Sequence, residues 1–195
     1  ITVAKTVLSL LAGLAFVYFN FRGKWLVFFY VLITLMMPTE VMLLALFRIE
    51  SVLGWKDPMA GLVDPFAASA TGAFLFRQHF ANLPRDLSEA AQIDGASPLQ
   101  FLFRILIPLS WNVIGALAVI QFVFVWNMYL WPVLIISDPD KQVVQVGLQG
   151  LQTLDTGLTF GPLMLAALLV SIPPAVVFLA LQKPFMAGFA LSSDK

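Results

Sequence analysis

Apolar residues occupy this chain in long continuous blocks. No charged residue occurs in the 33 positions from Ile105 to Ser137, or in the 27 from Thr156 to Gln182. A helix crosses a bilayer with about 20 apolar residues, so blocks of this length predict membrane spans. Five can be drawn, over residues 3–19, 25–47, 62–80, 113–136 and 160–181. Helices are expected because a lone spanning segment must satisfy its own backbone hydrogen bonds. Barrel strands would instead alternate over about ten residues. Pro38 and Pro173-Pro174 fall inside spans, where the missing N–H predicts kinks.

Between the third and fourth spans, the polar stretch from Leu83 to Pro98 predicts local structure of another kind. Asp86 followed by Glu89 resembles a capping box, so a short helix is expected to start there. Gly95, free to take positive φ, stops it after about two turns. Ser97 and Pro98 then read as N-cap and first residue of a second helix ending at Pro108. Ala90 and Ala91 leave a bare helix surface that could enter a groove on a partner, with Glu89 and Asp94 supplying charge beside it. An amphipathic connector lying on the membrane is the other reading.

Composition narrows the class. The chain of 195 residues is 60% hydrophobic and 11% charged, against about 25% charged in soluble domains. That excludes a soluble enzyme. Eleven basic and eleven acidic residues cancel, so neither nucleic acid nor a polybasic lipid anchor is indicated. Cysteine is absent and His79 is the sole histidine, which removes thiol chemistry and two-histidine metal sites. No phosphate-binding GxxxxGK[ST] occurs. Of the basic residues, Arg22, Lys24, Arg77, Arg85, Arg104, Lys183 and Lys195 fall at one side of the membrane. Lys5, Arg48, Lys56 and Lys141 fall at the other. Positive charge favours the cytoplasm, which places the 83–109 loop and the C-terminus inside and Ile1 outside. A cytoplasmic N-terminus would need one more span before Ile1, and the absence of an initiator Met fits an incomplete start.

The residues of the 83–109 loop carry a resemblance. Glu89-Ala90-Ala91, Asp94-Gly95-Ala96 and Pro108 resemble the EAA loop of permease subunits of bacterial ABC importers. The similarity extends along nearly the whole chain, through Phe21-Arg22-Gly23-Lys24, Phe74-Leu75-Phe76-Arg77-Gln78, Trp126-Asn127 and Trp131-Pro132. Ser69-Ala70-Thr71 and Leu130-Trp131-Pro132 favour the glycerol-3-phosphate branch over the maltose-type one. This resemblance implies an all-α, polytopic type I ABC importer permease fold: one transmembrane domain over 1–195, five helices present and a sixth, N-terminal one missing. It also implies inner-membrane localisation, a heterodimer with a homologous permease, two cytoplasmic ATPase subunits and an external solute-binding protein. ATP and Mg would be bound by the ATPases, with no cofactor or catalytic residue in this chain. Glu89, Ala90, Ala91, Asp94, Gly95 and Ala96 would couple to an ATPase cleft. The implied solute is sn-glycerol-3-phosphate or a glycerophosphodiester, with a maltose-type oligosaccharide as the alternative. The tail departs from the family, having Met186-Ala187 where a basic residue often follows Phe185.

Single residues leave alternatives. Glu40 could line the solute path, or sit at the outer interface if the helix unwinds at Pro38. Gln121, Asn127 and Tyr129 could line the path or hydrogen-bond between helices. Asn127, Tyr129 and Glu40 are the path candidates. His79 reads as an interfacial residue, and Trp25, Trp55, Trp111, Trp126 and Trp131 as an aromatic belt. Asp138, Asp140 and Asp155 lack the spacing of an EF-hand calcium loop and read as solvated. An ion-coupled carrier or an intramembrane enzyme is the competing class. It is weakened by the lack of GxSG and by the single plausible buried acid, Glu40.

Overall fold

A computed structural model describes residues 1–55, 59–154 and 160–190, and these are helical with short connections. No strand occurs among the described residues. Lys56, Asp155 and Lys195, used above, lie outside them. In chain order the helices are α1 (Thr2–Tyr18), α2 (Lys24–Leu35), α3 (Thr39–Leu53), α4 (Met59–Val63) and α5 (Ala70–Ala81). They continue with α6 (Asp86–Ile93), α7 (Pro98–Phe101), α8 (Ile107–Leu109), α9 (Trp111–Trp126), α10 (Leu130–Ile135), α11 (Val144–Leu154) and α12 (Phe160–Ala190).

Three of the five predicted segments are more broken than hydropathy suggests. Only α12 is long and apolar enough to cross a membrane as one helix, and α1 is a shorter apolar helix. The 25–47 segment is not a kinked helix: α2 ends at Leu35, and α3 leaves Pro38 at 108° to it. Proline cannot donate to the preceding turn and bars its predecessor from helical backbone. In the 62–80 segment a 3-10 turn, Asp64–Phe66, follows α4, and α5 is bent 42° from that unit. The 113–136 segment stops at Trp126; Asn127 to Tyr129 redirect the chain into the short α10. By contrast, α12 continues as helix through Pro173, Pro174 and Pro184.

α1 packs along α5, and α9 along α12. The first pair crosses over small residues. A Cβ at Gly72 would strike Ser9 Oγ, and one at Gly13 would come within 2.6 Å of Phe76 Cβ. Close approach over small residues is how helices associate where lipid removes the hydrophobic drive. Lys24 ties α2 to α1, donating from Nζ to the carbonyl of Phe19 at 3.0 Å, where a cation complements the helix C-terminus.

Two buried clusters result. One joins Leu10 and Leu14 of α1 to Phe76 and Phe80 of α5, Ala91 of α6, Phe101 of α7, Leu102 and Leu106 beyond it, and Val113 and Leu117 of α9. The other sets Leu43 and Phe66 against Trp131, Ile135 and Ile136. Outside them, α12 presents Met164, Leu165, Leu168, Leu169 and Ile172 to its surroundings, and α2 presents Trp25, Leu26, Phe29 and Tyr30. Apolar faces of this extent call for lipid or a partner.

Candidate functional site

α6 is a two-turn helix whose ends are set by different devices. Its first residue is Asp86, but the expected Asp86–Glu89 capping box does not form. Arg85 is the N-cap and no side chain caps the helix. Both acids instead sit in the first turn, where carboxylates oppose the positive end of the helix dipole. The stop forms as expected. Gly95 has φ +71°, its N–H donates to Gln92 O at 3.0 Å, and Ala96 N–H donates to Ala91 O at 2.9 Å. These two bonds make a Schellman cap.

Beyond it, Ser97 accepts from Gln100 N–H at 3.3 Å while the Gln100 side chain accepts from Ser97 N–H at 2.9 Å. This capping box was legible as S-x-x-Q in the sequence. The helix it opens runs to Leu109, one residue past the expected end at Pro108, but is not α-helical throughout. A π turn over Leu102–Leu106, with Ile107 N–H donating five residues back to Leu102 O, carries the chain into α8. The wider turn admits a proline ring that would clash in an α-helix.

The two alanines of α6 face opposite ways. Ala91 is buried in the α1–α5–α9 cluster, so it is no part of a bare outer surface. Glu89, Ala90, Asp94 and Gly95 are exposed, and Ile93 is 87% exposed. Ala96 is half-buried. The outward face is thus one small residue, one large apolar residue and two carboxylates, held rigidly because Ala91 seats its back.

Glu40, Asn127 and Tyr129 come together in one cleft of about 370 Å³, whose other walls include Thr39, Phe66, Phe124 and Trp131. Each helix break contributes to it. Thr39 and Glu40 open α3 just after Pro38, Phe66 closes the 3-10 turn, and Asn127 to Tyr129 are the break after α9. Asn127 Nδ2 also donates to Val123 O at 2.8 Å, which leaves its amide oxygen for another donor. Glu40 is the only charged side chain among the described residues of the lining. A wider cavity of about 660 Å³ lies between the start of α1, α9 and residues 142–145.

Other polar residues are structural. Gln121 Nε2 donates to Ser69 Oγ at 2.7 Å, the interhelical bond that was one of its two readings. His79 is not simply interfacial: its Nε2 lies 3.0 Å from Ser110 Oγ, and Ser110, fully buried, stands at the 82° bend before α9. The aromatic belt is partial. Trp25 and Trp111 are exposed, whereas Trp126 donates to Val170 O at 3.1 Å and buried Trp131 to Gly61 O at 3.1 Å. In the loop between α10 and α11 Asp138 pairs with Lys141 at 2.9 Å. That pairing and the Asp140 N–H hold its carboxyl below the usual range. No group of three metal-ligating side chains occurs among the described residues.

Two buried charges were missed, Glu50 and Lys5. Glu40, expected as the buried acid, is exposed, whereas Glu50 is 4% exposed and its Oε2 has no hydrogen-bond partner among the described residues. Lys5, counted above only as an outer charge, is 6% exposed, and its Nζ lies 4.7 Å from the centroid of the Phe124 ring. Sequence offers the charge within an apolar run as a signal, but not its burial.

A helical protein with apolar outer faces, broken apolar segments meeting at a cleft that holds Glu40, Asn127 and Tyr129, and a small helix displayed on a loop has the build of a membrane permease. Residues 5–187 match the family described as the binding-protein-dependent transport system inner membrane component, and the chain belongs to that family. It is a permease subunit of an ABC importer. Among curated relatives, the sn-glycerol-3-phosphate transport system permease protein UgpE of Escherichia coli (strain K12) is 44% identical over 196 aligned residues, covering 100% of this chain and 69% of the relative. UgpE of Salmonella typhimurium (strain LT2) is similar to the same extent. Among solved structures, a bacterial ABC transporter involved in import of the acidic polysaccharide alginate superposes with TM-score 0.77 at 26% identity, over 93% of this chain and 70% of that one.

Proposed function

We propose that this permease subunit forms half of the solute pathway of an ATP-driven importer for sn-glycerol-3-phosphate or glycerophosphodiesters. The observation that carries the pathway is the convergence of three backbone breaks on one cleft. Non-helical backbone at membrane depth is tolerated where it lines a cavity, and transporters place broken helices at their binding sites. Glu40, Asn127 and Tyr129 are the path residues, offering one carboxylate, one amide and one phenol to a hydroxyl-bearing solute. The phosphate-ester solute rests on the 44% identity to UgpE along the whole chain.

In this reading the five apolar segments are five spans: α1, α2 with α3, α4 with α5, α9, and α12. The 83–109 loop and the C-terminus are cytoplasmic. α6 is the coupling helix, its exposed Glu89, Ala90, Asp94 and Gly95 entering an ATPase cleft while Ala91 and Ala96 fix it to the permease. The assembly contains a homologous permease, two ATPase subunits that bind ATP and Mg, and an external solute-binding protein. This chain itself holds no cofactor and catalyses no reaction. The test is reconstitution of the whole assembly in liposomes, with uptake of sn-glycerol-3-phosphate, a glycerophosphodiester and maltose measured with and without ATP and binding protein. ATP- and binding-protein-dependent uptake of the phosphate esters is expected. Uptake of maltose alone overturns the solute, and concentrative uptake by this chain without its partners overturns the assembly.

A further inference from the structure

Lys5 is buried at the first turns of α1, and its ammonium has no hydrogen-bond or ion-pair partner among the described residues. Its one neighbour of note is the face of Phe124. An ammonium enclosed in this way loses part of its hydration, and a single aromatic face returns only part of the loss. Charged groups inside membrane proteins are rare, and those that persist mark solute or ion pathways. Phe124 is at the same time a wall of the cleft that holds Glu40, Asn127 and Tyr129, so the ammonium stands directly behind the lining.

The cleft needs such a charge if its solute is an anion. Among the described residues its lining contributes one carboxylate, Glu40, and no basic group. Alone, that carboxylate repels a phosphate monoester and leaves the cleft suited to a neutral polyol. A cation one aromatic ring away offsets the repulsion, because electrostatic interactions are screened less at low dielectric than in water.

We propose that Lys5 is the anion-receiving group of this half of the pathway. It supplies the positive field that admits a phosphate-bearing solute, while Asn127 and Tyr129 meet the solute's hydroxyls. The proposal rests on the pathway reading given above. It assigns Lys5 a specificity role that packing against Phe124 alone does not require.

The experiment uses the complete transporter in liposomes with saturating loaded binding protein, and compares wild type with Lys5→Met and Lys5→Arg. Initial uptake of sn-glycerol-3-phosphate, basal ATP hydrolysis and the thermal midpoint of the complex are measured on each. Removing a lone buried charge leaves the midpoint unchanged or higher, so Lys5→Met is expected to keep its stability and basal hydrolysis while uptake falls at least tenfold. Lys5→Arg, which keeps the charge, is expected to stay within about threefold of wild type. Wild-type uptake by Lys5→Met overturns the proposal. So does a lowered midpoint or failed assembly in Lys5→Met, since a group kept for an anion is not needed for folding. A wild-type complex that imports no sn-glycerol-3-phosphate refutes the pathway reading instead, and that result is visible before any variant is compared.

Discussion

Gly95 gives the sharpest test of how α6 is built, because only its backbone is at stake. Its φ is +71°, and a Cβ placed there would meet nothing within 4 Å. Any cost of substitution is therefore the cost of left-handed backbone, about 1–2 kcal/mol for an ordinary L-residue. Asparagine tolerates this region better than alanine, and β-branched valine worst. A shift of that size lowers the population of the closed cap by about 5- to 30-fold. The reporter is the Ala96 amide, which donates to Ala91 O across the cap. In the assembled transporter its hydrogen-exchange protection should fall in the order Gly95, Gly95→Asn, Gly95→Ala, Gly95→Val. Solute-stimulated ATP hydrolysis should fall in the same order. Gly147→Ala is the control. Gly147 lies inside α11, its added Cβ also meets nothing, and its φ is ordinary, so the same chemical change should stabilise that helix by about 0.5–1 kcal/mol. Equal Ala96 protection in wild type and Gly95→Val would refute the backbone argument.

Three further outcomes follow from contacts. Glu89→Ala removes an exposed carboxylate, so the thermal midpoint should stay within about 0.5 kcal/mol of wild type while solute-stimulated ATP hydrolysis and uptake are lost; retained stimulation would remove Glu89 from coupling. Ala91→Asp buries a carboxylate in the α1–α5–α9 cluster and should cost at least ~2 kcal/mol, whereas Ala90→Asp on the exposed side should be nearly neutral in a thermal-shift assay. Trp131→Phe leaves the Gly61 carbonyl unpaired inside the protein and should lower stability by about 1–3 kcal/mol, measured as the denaturant midpoint of the purified subunit complex.

How far the sequence could be read depends on the range of the interaction concerned. The α6 stop, the Ser97–Pro98 start and the apolar segments depend on neighbours within a few residues, and each appears where spacing predicts it. The first-turn capping box failed on a local competitor. Arg85 already has helical backbone, so the helix begins without a side-chain cap, and Asp86 is one position too late to provide one. The inward turn of Ala91 depends on the cluster it joins, in which Leu14 and Leu117 lie far from it along the chain. No property of the EAA triplet alone distinguishes the alanine that packs from the one that is displayed. Lys5 is a similar case, since its burial is set by α9.

The helix breaks show the same limit with more consequence. Hydropathy adds side chains along a window and is blind to whether the backbone beneath them is continuous. Met36, Met37 and Met128 are apolar, so they extend the runs on either side of the places where the chain turns. Pro38 and Asn127 are the only marks of those turns that a sequence shows, and a proline pair in α12 leaves its helix intact. What separates the two outcomes is the surroundings. α12 is packed along α9 and otherwise faces outward, and an unpaired carbonyl facing lipid would have no partner. The breaks at Pro38 and Asn127 open instead onto a shared cleft, where freed backbone groups and the Asn127 amide can meet water or solute. Continuity is kept in the outward-facing α12 and given up where the chain borders an open cleft. In the pathway proposed above, the interruptions that defeat a span drawn from hydropathy are the positions at which this chain would touch its solute.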